Sequence, residues 1–268
     1  MKDRPIGVFD SGIGGLTVVR ELFRQLPNES VLYLGDTARV PYGPRGIETI
    51  RGFALELAEF LLQRDVKALV IACNTISATV ADDIRRISPV PVFDVVNPTV
   101  EAAVDATRAR VLGVIGTVTT VRSKVYDTLA RGMQPDMQVF GQECPLFVPI
   151  AEEHLERHPV ARLMAEEYLA GFRGTGLDVL ILGCTHYPLL REVVAEVMGP
   201  DVRLIDSAQP TVAGLGQVLK EQGLLHTGPP AHQFFVTDAS YKFMQIANGI
   251  LEQDVSSLVR EVTLGCRQ

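Results

Sequence analysis

The sequence predicts an α/β protein: two pseudo-symmetric domains, each a mostly parallel sheet flanked by helices, with the active site in the interdomain cleft. Three observations carry this expectation. Short β-branched runs alternate with amphipathic helical stretches, the pattern of a parallel sheet covered on both faces. Segments of the first half recur in the second. Two cysteines each follow an apolar, strand-like run, in Leu69-Val70-Ile71-Ala72-Cys73-Asn74-Thr75 and Leu180-Ile181-Leu182-Gly183-Cys184-Thr185-His186.

The recurrence extends along most of the chain. Ile6-Gly7-Val8-Phe9 returns as Leu112-Gly113-Val114-Ile115 and Tyr33-Leu34-Gly35 as Val139-Phe140-Gly141, both at an offset of 106. The cysteines lie 111 apart, and Pro98-Thr99-Val100 returns 112 residues later as Pro210-Thr211-Val212. A small insertion accounts for the drift. An internal duplication of this kind places two related sheet edges, and two thiols, around a shared cleft.

Taken in order, strands are expected at 5–9, 31–35, 67–72, 90–94, 110–115, 137–141, 178–182, 202–205 and 232–237, with helices in most of the gaps. The first strand runs into a glycine-rich turn, Ser11-Gly12-Ile13-Gly14-Gly15, and then a helix. The second runs into a polar loop, Asp36 to Gly43. After Gly46 the helical period is plain: Ile50, Phe53, Ala54, Leu57, Phe60 and Leu61 share a stripe, opposite Glu48, Arg51, Glu56, Glu59 and Gln63. Residues 212–268 have no second copy and are expected to return to the first domain. With the crossings at the two Pro-Thr-Val segments, residues 1–97 plus 211–268 form one domain and 98–210 the other.

Composition narrows the function. A chain of 268 residues with 47% apolar and 21% charged residues is a soluble globular protein with room for a sizeable core, and no apolar run reaches membrane-spanning length. The N-terminus enters the first strand without an apolar signal core, so the expected address is cytoplasmic. Four cysteines without short-range pairing point to reduced thiols, available for chemistry. A net charge of -7 with scattered Lys and Arg leaves no footprint for nucleic acid or anionic lipid.

Both cysteines sit where a strand ends and a helix begins, the place at which parallel sheets bind ligands. A helix N-terminus offers unpaired N–H groups and partial positive charge, which favour thiolate and equip each cysteine to act as a base near neutral pH. Asn74-Thr75 and Thr185-His186 supply donors suited to a carboxylate between the two junctions. Alone, either cysteine reads as a buried strand-end residue. Paired within a duplication, they read as the two sides of one proton-transfer site.

The turn after the first strand resembles a nucleotide loop only loosely: the dinucleotide fingerprint needs glycine where Thr17 stands, and no Gly-Lys-Ser/Thr follows. Asp10 at its mouth repels phosphate but accepts from an ammonium group or a thiol, or else caps the helix. Tyr42 and the Gly43 amide offer hydrogen bonds to a distal acidic group, unless they form a plain surface turn. His186 can exchange a proton on the side of Cys184, and Glu152 can hold His186 charged or cap a helix. No metal site is expected, because Cys184-Thr185-His186 lacks paired-ligand spacing. Cys144 and Cys266 read as structural.

Together, Asp10-Ser11-Gly12-Ile13-Gly14-Gly15, Gly35-Asp36-Thr37 with Pro41-Tyr42-Gly43, Ala72-Cys73-Asn74-Thr75, Gly116-Thr117 with Thr120, Cys144-Pro145-Leu146-Phe147 and Gly183-Cys184-Thr185-His186-Tyr187-Pro188 resemble the glutamate racemase family in content and order. The resemblance implies interconversion of L- and D-glutamate without a cofactor, supplying D-glutamate for peptidoglycan. It implies Cys73 and Cys184 as the acid/base pair, Asp10 assisting Cys73, and His186 with Glu152 assisting Cys184. Asp10, Ser11, Tyr42, Gly43, Asn74, Thr75, Thr185 and His186 would contact substrate, joined by Thr117 and Thr120, in a homodimer. Ile76 and Pro44-Arg45-Gly46 depart from the family pattern. The rival readings are an aspartate or other acidic amino acid racemase, discriminated by Tyr42-Gly43, and a non-catalytic binding module for an anionic metabolite.

Overall fold

The apolar runs assemble into two separate sheets. In the first, β1 (Ile6–Asp10), β2 (Val31–Gly35), β3 (Ala68–Ile71) and β4 (Val92–Asp94) are joined by β9 (Gln233–Val236) and β10 (Val259–Glu261), in the order β10-β9-β2-β1-β3-β4. In the second, β5 (Val111–Gly116), β6 (Gln138–Glu143), β7 (Val179–Gly183) and β8 (Arg203–Asp206) lie in the order β6-β5-β7-β8. The orders β2-β1-β3-β4 and β6-β5-β7-β8 are the same, so the repeat in sequence is a repeat in topology. Every strand pairing is parallel. The computed structural model describes residues 1–265, and Cys266 lies outside the described residues.

Parallel strands need coverage on both faces, and the alternation of side chains supplies it. From the first sheet, Val8, Val70 and Phe234 pack with Leu16 and Leu22 of α1 (Leu16–Gln25), Val212 and Leu215 of α10 (Ala208–Glu221), and Phe243 and Ile246 of α11 (Tyr241–Leu251). On its other face, Phe9, Leu69 and Ile71 meet Leu57 and Leu61 of α2 (Ile47–Leu62) and Ile76, Val80 and Ile84 of α3 (Asn74–Ile87). Ile50, Ala54, Leu57 and Leu61 of the expected α2 stripe are wholly buried. Phe53 and Phe60 sit at its edge, where Arg39 and Arg64 stack on their rings at 4.0 and 3.3 Å.

The second sheet is covered in the same way. Ile115, Leu180 and Leu182 pack with Phe147 and Ile150 of α7 (Phe147–Glu152), Ala165 and Leu169 of α8 (Pro159–Leu169) and Val194 of α9 (Arg191–Met198). Leu112, Val114 and Ile181 pack with Val100, Ala103 and Val104 of α4 (Asn97–Ala106) and Tyr126 and Ala130 of α6 (Val125–Met133). The chain thus leaves the first sheet after Asp94, with α4 already packed on the second. It returns after Asp206, with α10 packed on the first. The two Pro-Thr-Val segments lie in the opening turns of α4 and α10.

Two details differ from the sequence reading. β10 was not expected there: it is three residues long, carries Arg260 and Glu261, and has no apolar run to announce it. Several strands also run one or two residues further toward their C-terminal ends. Asp10 still pairs with Gly35, and Gly116 with Gly183 and Glu143, because backbone pairing continues past the last apolar side chain. Asp10 is therefore the last residue of β1, and the N-cap of α1 is Gly15. No helix among the described residues is long and apolar enough to cross a membrane.

Candidate active site

The C-terminal ends of β1, β3, β5 and β7 converge on one cleft. The first sheet's loops contribute Ser11, Val40 to Gly43 and Cys73 to Thr75; the second's contribute Thr117, Val148, Glu152 and Cys184 to His186. The cleft opens onto a wider apolar vestibule walled by Pro41, Pro44, Val118, Pro145 and Pro149. The halves approach closely below it. A Cβ on Gly14 would collide with Thr185 Oγ1 and stand 2.6 Å from His186 Nδ1, so only glycine permits this contact. Thr17 closes the seam by donating to Gly14 O at 2.9 Å and Thr185 O at 3.2 Å.

Cys73 is the N-cap residue of α3, and its Sγ lies 3.5 Å from Ser11 Oγ. Asp10 is wholly buried; its Oδ2 accepts from the Gly12 N–H at 3.0 Å, while its Oδ1 has no hydrogen-bond partner. Burial raises the Asp10 pKa despite the charge of His186 and the surrounding backbone N–H groups. Burial, then the negative charge of Asp10, push the Cys73 thiol up to about 12. This corrects the expectation that the start of a helix would make Cys73 a ready thiolate: desolvation outweighs the partial charge of the helix end.

Around Cys184 the environment differs. His186 Nδ1 lies 3.9 Å from Cys184 Sγ, and its Nε2 lies 3.0 Å from Glu152 Oε1. Burial disfavours charge on His186, but its hydrogen bonds to Cys184 and Glu152, and their charges, prevail and raise its pKa to about 10. Burial likewise opposes charge on Glu152, yet His186 and then Lys242 hold that carboxyl below its ordinary value. Lys242, in the first turn of α11, ion-pairs with Glu153 at 2.6 Å beside this site. Both cysteines are free and buried, so the two sides present a thiol each with unlike partners.

Of the expected substrate contacts, Asp10 and Thr120 are wholly buried and do not line the cleft; the others, His186 among them, line it and fall into two groups. Ser11, Gly43, Thr75 and Thr185 line the cleft as the sequence reading placed them. The Thr75, Thr117 and Thr120 hydroxyls form a triangle with sides of 3.0, 3.3 and 3.0 Å that joins the two halves. Tyr42 and Asn74 also line the cleft, but their polar atoms are engaged differently. The Tyr42 hydroxyl donates to Asp36, a wholly buried carboxylate that also accepts from Arg39 at 2.6 Å and Thr237 at 2.9 Å. Its single proton is therefore unavailable to a distal acidic group, a correction explained by the need of buried Asp36 for donors. The Asn74 amide donates to Tyr126 Oη at 2.9 Å and Ser207 Oγ at 3.0 Å.

Asp36, Arg39, Tyr126 and Ser207 are the residues that sequence reasoning assigned no role. Asp36 and Arg39 stood inside the polar loop after the second strand, and nothing local marks Tyr126 or Ser207, which reach the site from α6 and the start of α10. Cys144 sits beneath the Cys184 side, where its carbonyl accepts from Tyr187 Oη at 2.7 Å. No group of three or more His, Cys, Asp or Glu able to hold a metal occurs among the described residues.

Two matched α/β sheets with facing strand ends enclose this cleft, and the family to which the chain is similar places it in the class of racemases, which are isomerases. The Asp/Glu/Hydantoin racemase family model matches residues 6–215. The chain is 46% identical over 258 residues to the glutamate racemase of Syntrophus aciditrophicus, covering 96% of each chain. A glutamate racemase isoform of Bacillus anthracis has the same fold with a TM-score of 0.95, at 39% identity over 98% of this chain and 99% of that one. The Francisella tularensis glutamate racemase, solved in complex with D-glutamate, follows with a TM-score of 0.93 and 40% identity, covering 98% and 99%. The chain belongs to the Asp/Glu/Hydantoin racemase family.

Proposed function

We propose that this protein is a glutamate racemase that works by transferring protons through Cys73 and Cys184, supplying D-glutamate for peptidoglycan. The observation that carries the reading is the placement of the two thiols: each follows the corresponding strand of a duplicated sheet, and both line one cleft. A base on one face of the α-carbon and an acid on the other are what inversion requires. Relatives at 44–46% identity over nearly the whole chain, all named glutamate racemase, support the choice of substrate.

In one direction the Cys184 thiolate removes the α-proton while the Cys73 thiol delivers its proton to the opposite face. In the other the roles exchange, and each turnover leaves the pair with swapped protonation. The unlike neighbours fit these duties. High-pKa Cys73 beside Asp10 is a reservoir for a proton, and charged His186 places a positive charge beside Cys184. Asp10 and His186 are the groups through which the two sides regain their protons. The backbone N–H groups opening α3 and the hydroxyls of Ser11, Thr75 and Thr185 receive the substrate's carboxylates in this reading.

Circular dichroism of the protein with D-glutamate, L-glutamate and D-aspartate tests this reading. Loss of optical signal with either glutamate enantiomer but not with aspartate, abolished by Cys73→Ala and by Cys184→Ala, is the expected result. A folded wild-type protein that leaves both glutamate signals unchanged would sink it.

A further inference from the structure

The Tyr126 hydroxyl occupies a junction between the two halves. It accepts from the side-chain amide of Asn74, the residue after Cys73, at 2.9 Å. It also lies close to the residue before Cys184: a Cβ built on Gly183 would stand 3.3 Å from Tyr126 Oη. One phenol thus bonds to the residue after Cys73 and stands where a side chain on the residue before Cys184 would meet it, although Tyr126 itself is buried and does not line the cleft.

The hydrogen bonds of Asn74 determine what it offers a substrate. An amide side chain has two N–H donors and one carbonyl acceptor. Tyr126 takes one donor and Ser207, at 3.0 Å, takes the other. The carbonyl oxygen, on the opposite side of the planar group, is buried without any hydrogen-bond partner in a residue that is 2% exposed and lines the cleft. A buried, unmatched acceptor at a binding site calls for a donor from the ligand. An α-amino acid carries one such donor group, its ammonium.

We propose that Tyr126, together with Ser207, is a positioning residue of the site: by engaging both amide hydrogens of Asn74 they leave its buried, unpartnered carbonyl oxygen as the atom that accepts from the substrate's α-ammonium. The inference rests on the amino acid racemase reading and deepens it. It replaces the expectation that the Asn74 side chain donates to a carboxylate. Tyr126 touches no substrate atom and acts through Asn74 alone.

The test compares two ligands that differ only in the ammonium group. D-Glutamate and glutarate are each titrated against the wild type, Tyr126→Phe, Ser207→Ala and the double variant, with thermal midpoints recorded for all four. Loss of the orienting hydroxyls should weaken D-glutamate about tenfold in the double variant, the scale of one charge-assisted hydrogen bond. Glutarate affinity should stay within about twofold. Ser207→Ala keeps the comparison available if replacement of Tyr126 impairs folding. Equal weakening of both ligands, or no weakening of either, overturns the inference while leaving the racemase reading intact. A folded wild type that binds D-glutamate no better than glutarate and does not racemise it overturns both.

Discussion

His186 Nε2 stands 3.0 Å from Glu152 Oε1, and this contact distinguishes the two sides of a cleft that duplication would otherwise make alike. The other ring nitrogen faces Cys184 at 3.9 Å, so His186 links a half-buried carboxylate to a buried thiol. Cys73 has no such chain. Its neighbours are a hydroxyl and a buried carboxylate, and its thiol is held up to about 12.

Replacing Glu152 with Gln removes the negative charge while keeping a hydrogen-bond acceptor. The His186 pKa, about 10 in the intact site, should fall by about one to two units. Titration of the His186 ring by NMR measures it. An unchanged value would show that Cys184 alone maintains the charged ring.

The same group predicts how stability depends on pH. The folded value of about 10 exceeds that of an unfolded imidazole, about 6.5. Charged His186 therefore contributes its full stabilisation below pH about 6.5, and the contribution fades as pH rises toward about 10. Thermal midpoints between these limits should decline more steeply in the wild type than in His186→Gln. Parallel declines would refute the assignment.

Asp10→Asn removes the negative charge that, after burial, keeps the Cys73 thiol protonated. The Cys73 pKa should move down from about 12. Thiolate absorbance in the ultraviolet, followed against pH in a protein lacking Cys144, Cys184 and Cys266, reads the shift directly. A rise would mean that Asp10 acts on Cys73 chiefly as a hydrogen-bond partner of the thiolate.

Tyr42→Phe should separate stability from substrate recognition. The hydroxyl serves Asp36, and removing it deprives a buried carboxylate of one donor, a loss of about 1–3 kcal/mol. Denaturant unfolding should show that loss, while KM for glutamate changes little. A large rise in KM with unaltered stability would return the hydroxyl to the substrate.

Lys67 and Glu29 form a buried ion pair at 2.5 Å, and Lys67 also donates to the carbonyls of Lys2 and Leu224. Lys67→Met leaves the buried Glu29 carboxyl without its cation, with the His226 N–H still donating to it at 2.9 Å. Unfolding in urea should report a loss of about 3–5 kcal/mol, much of it recovered when Glu29→Gln is added.

Much of this site was legible in one dimension because it is made of strand ends. Cys73, Cys184, Asp10 and the residues beside them follow apolar runs whose burial dictates strands, and the repeat announces that two such ends belong together. Glu152 and His186, 34 residues apart, were matched by chemistry and meet at 3.0 Å. Tyr126 escaped notice because its position in α6 carries only an ordinary buried aromatic pattern. β10 escaped because three residues, two of them exposed and charged, bear no periodic signature.

The sequence by itself determined the α/β class, the duplicated plan and the residues gathered at the cleft, since hydrophobic periodicity and turn chemistry are local properties of the chain. What each polar group does there was decided only by the tertiary structure. The Tyr42 hydroxyl turned to Asp36, the Asn74 amide turned to Tyr126 and Ser207, and burial lifted the Cys73 thiol against its helix. Hydrogen-bond partners and dielectric surroundings come from segments distant in the chain, and those surroundings determine which atom can still meet a substrate.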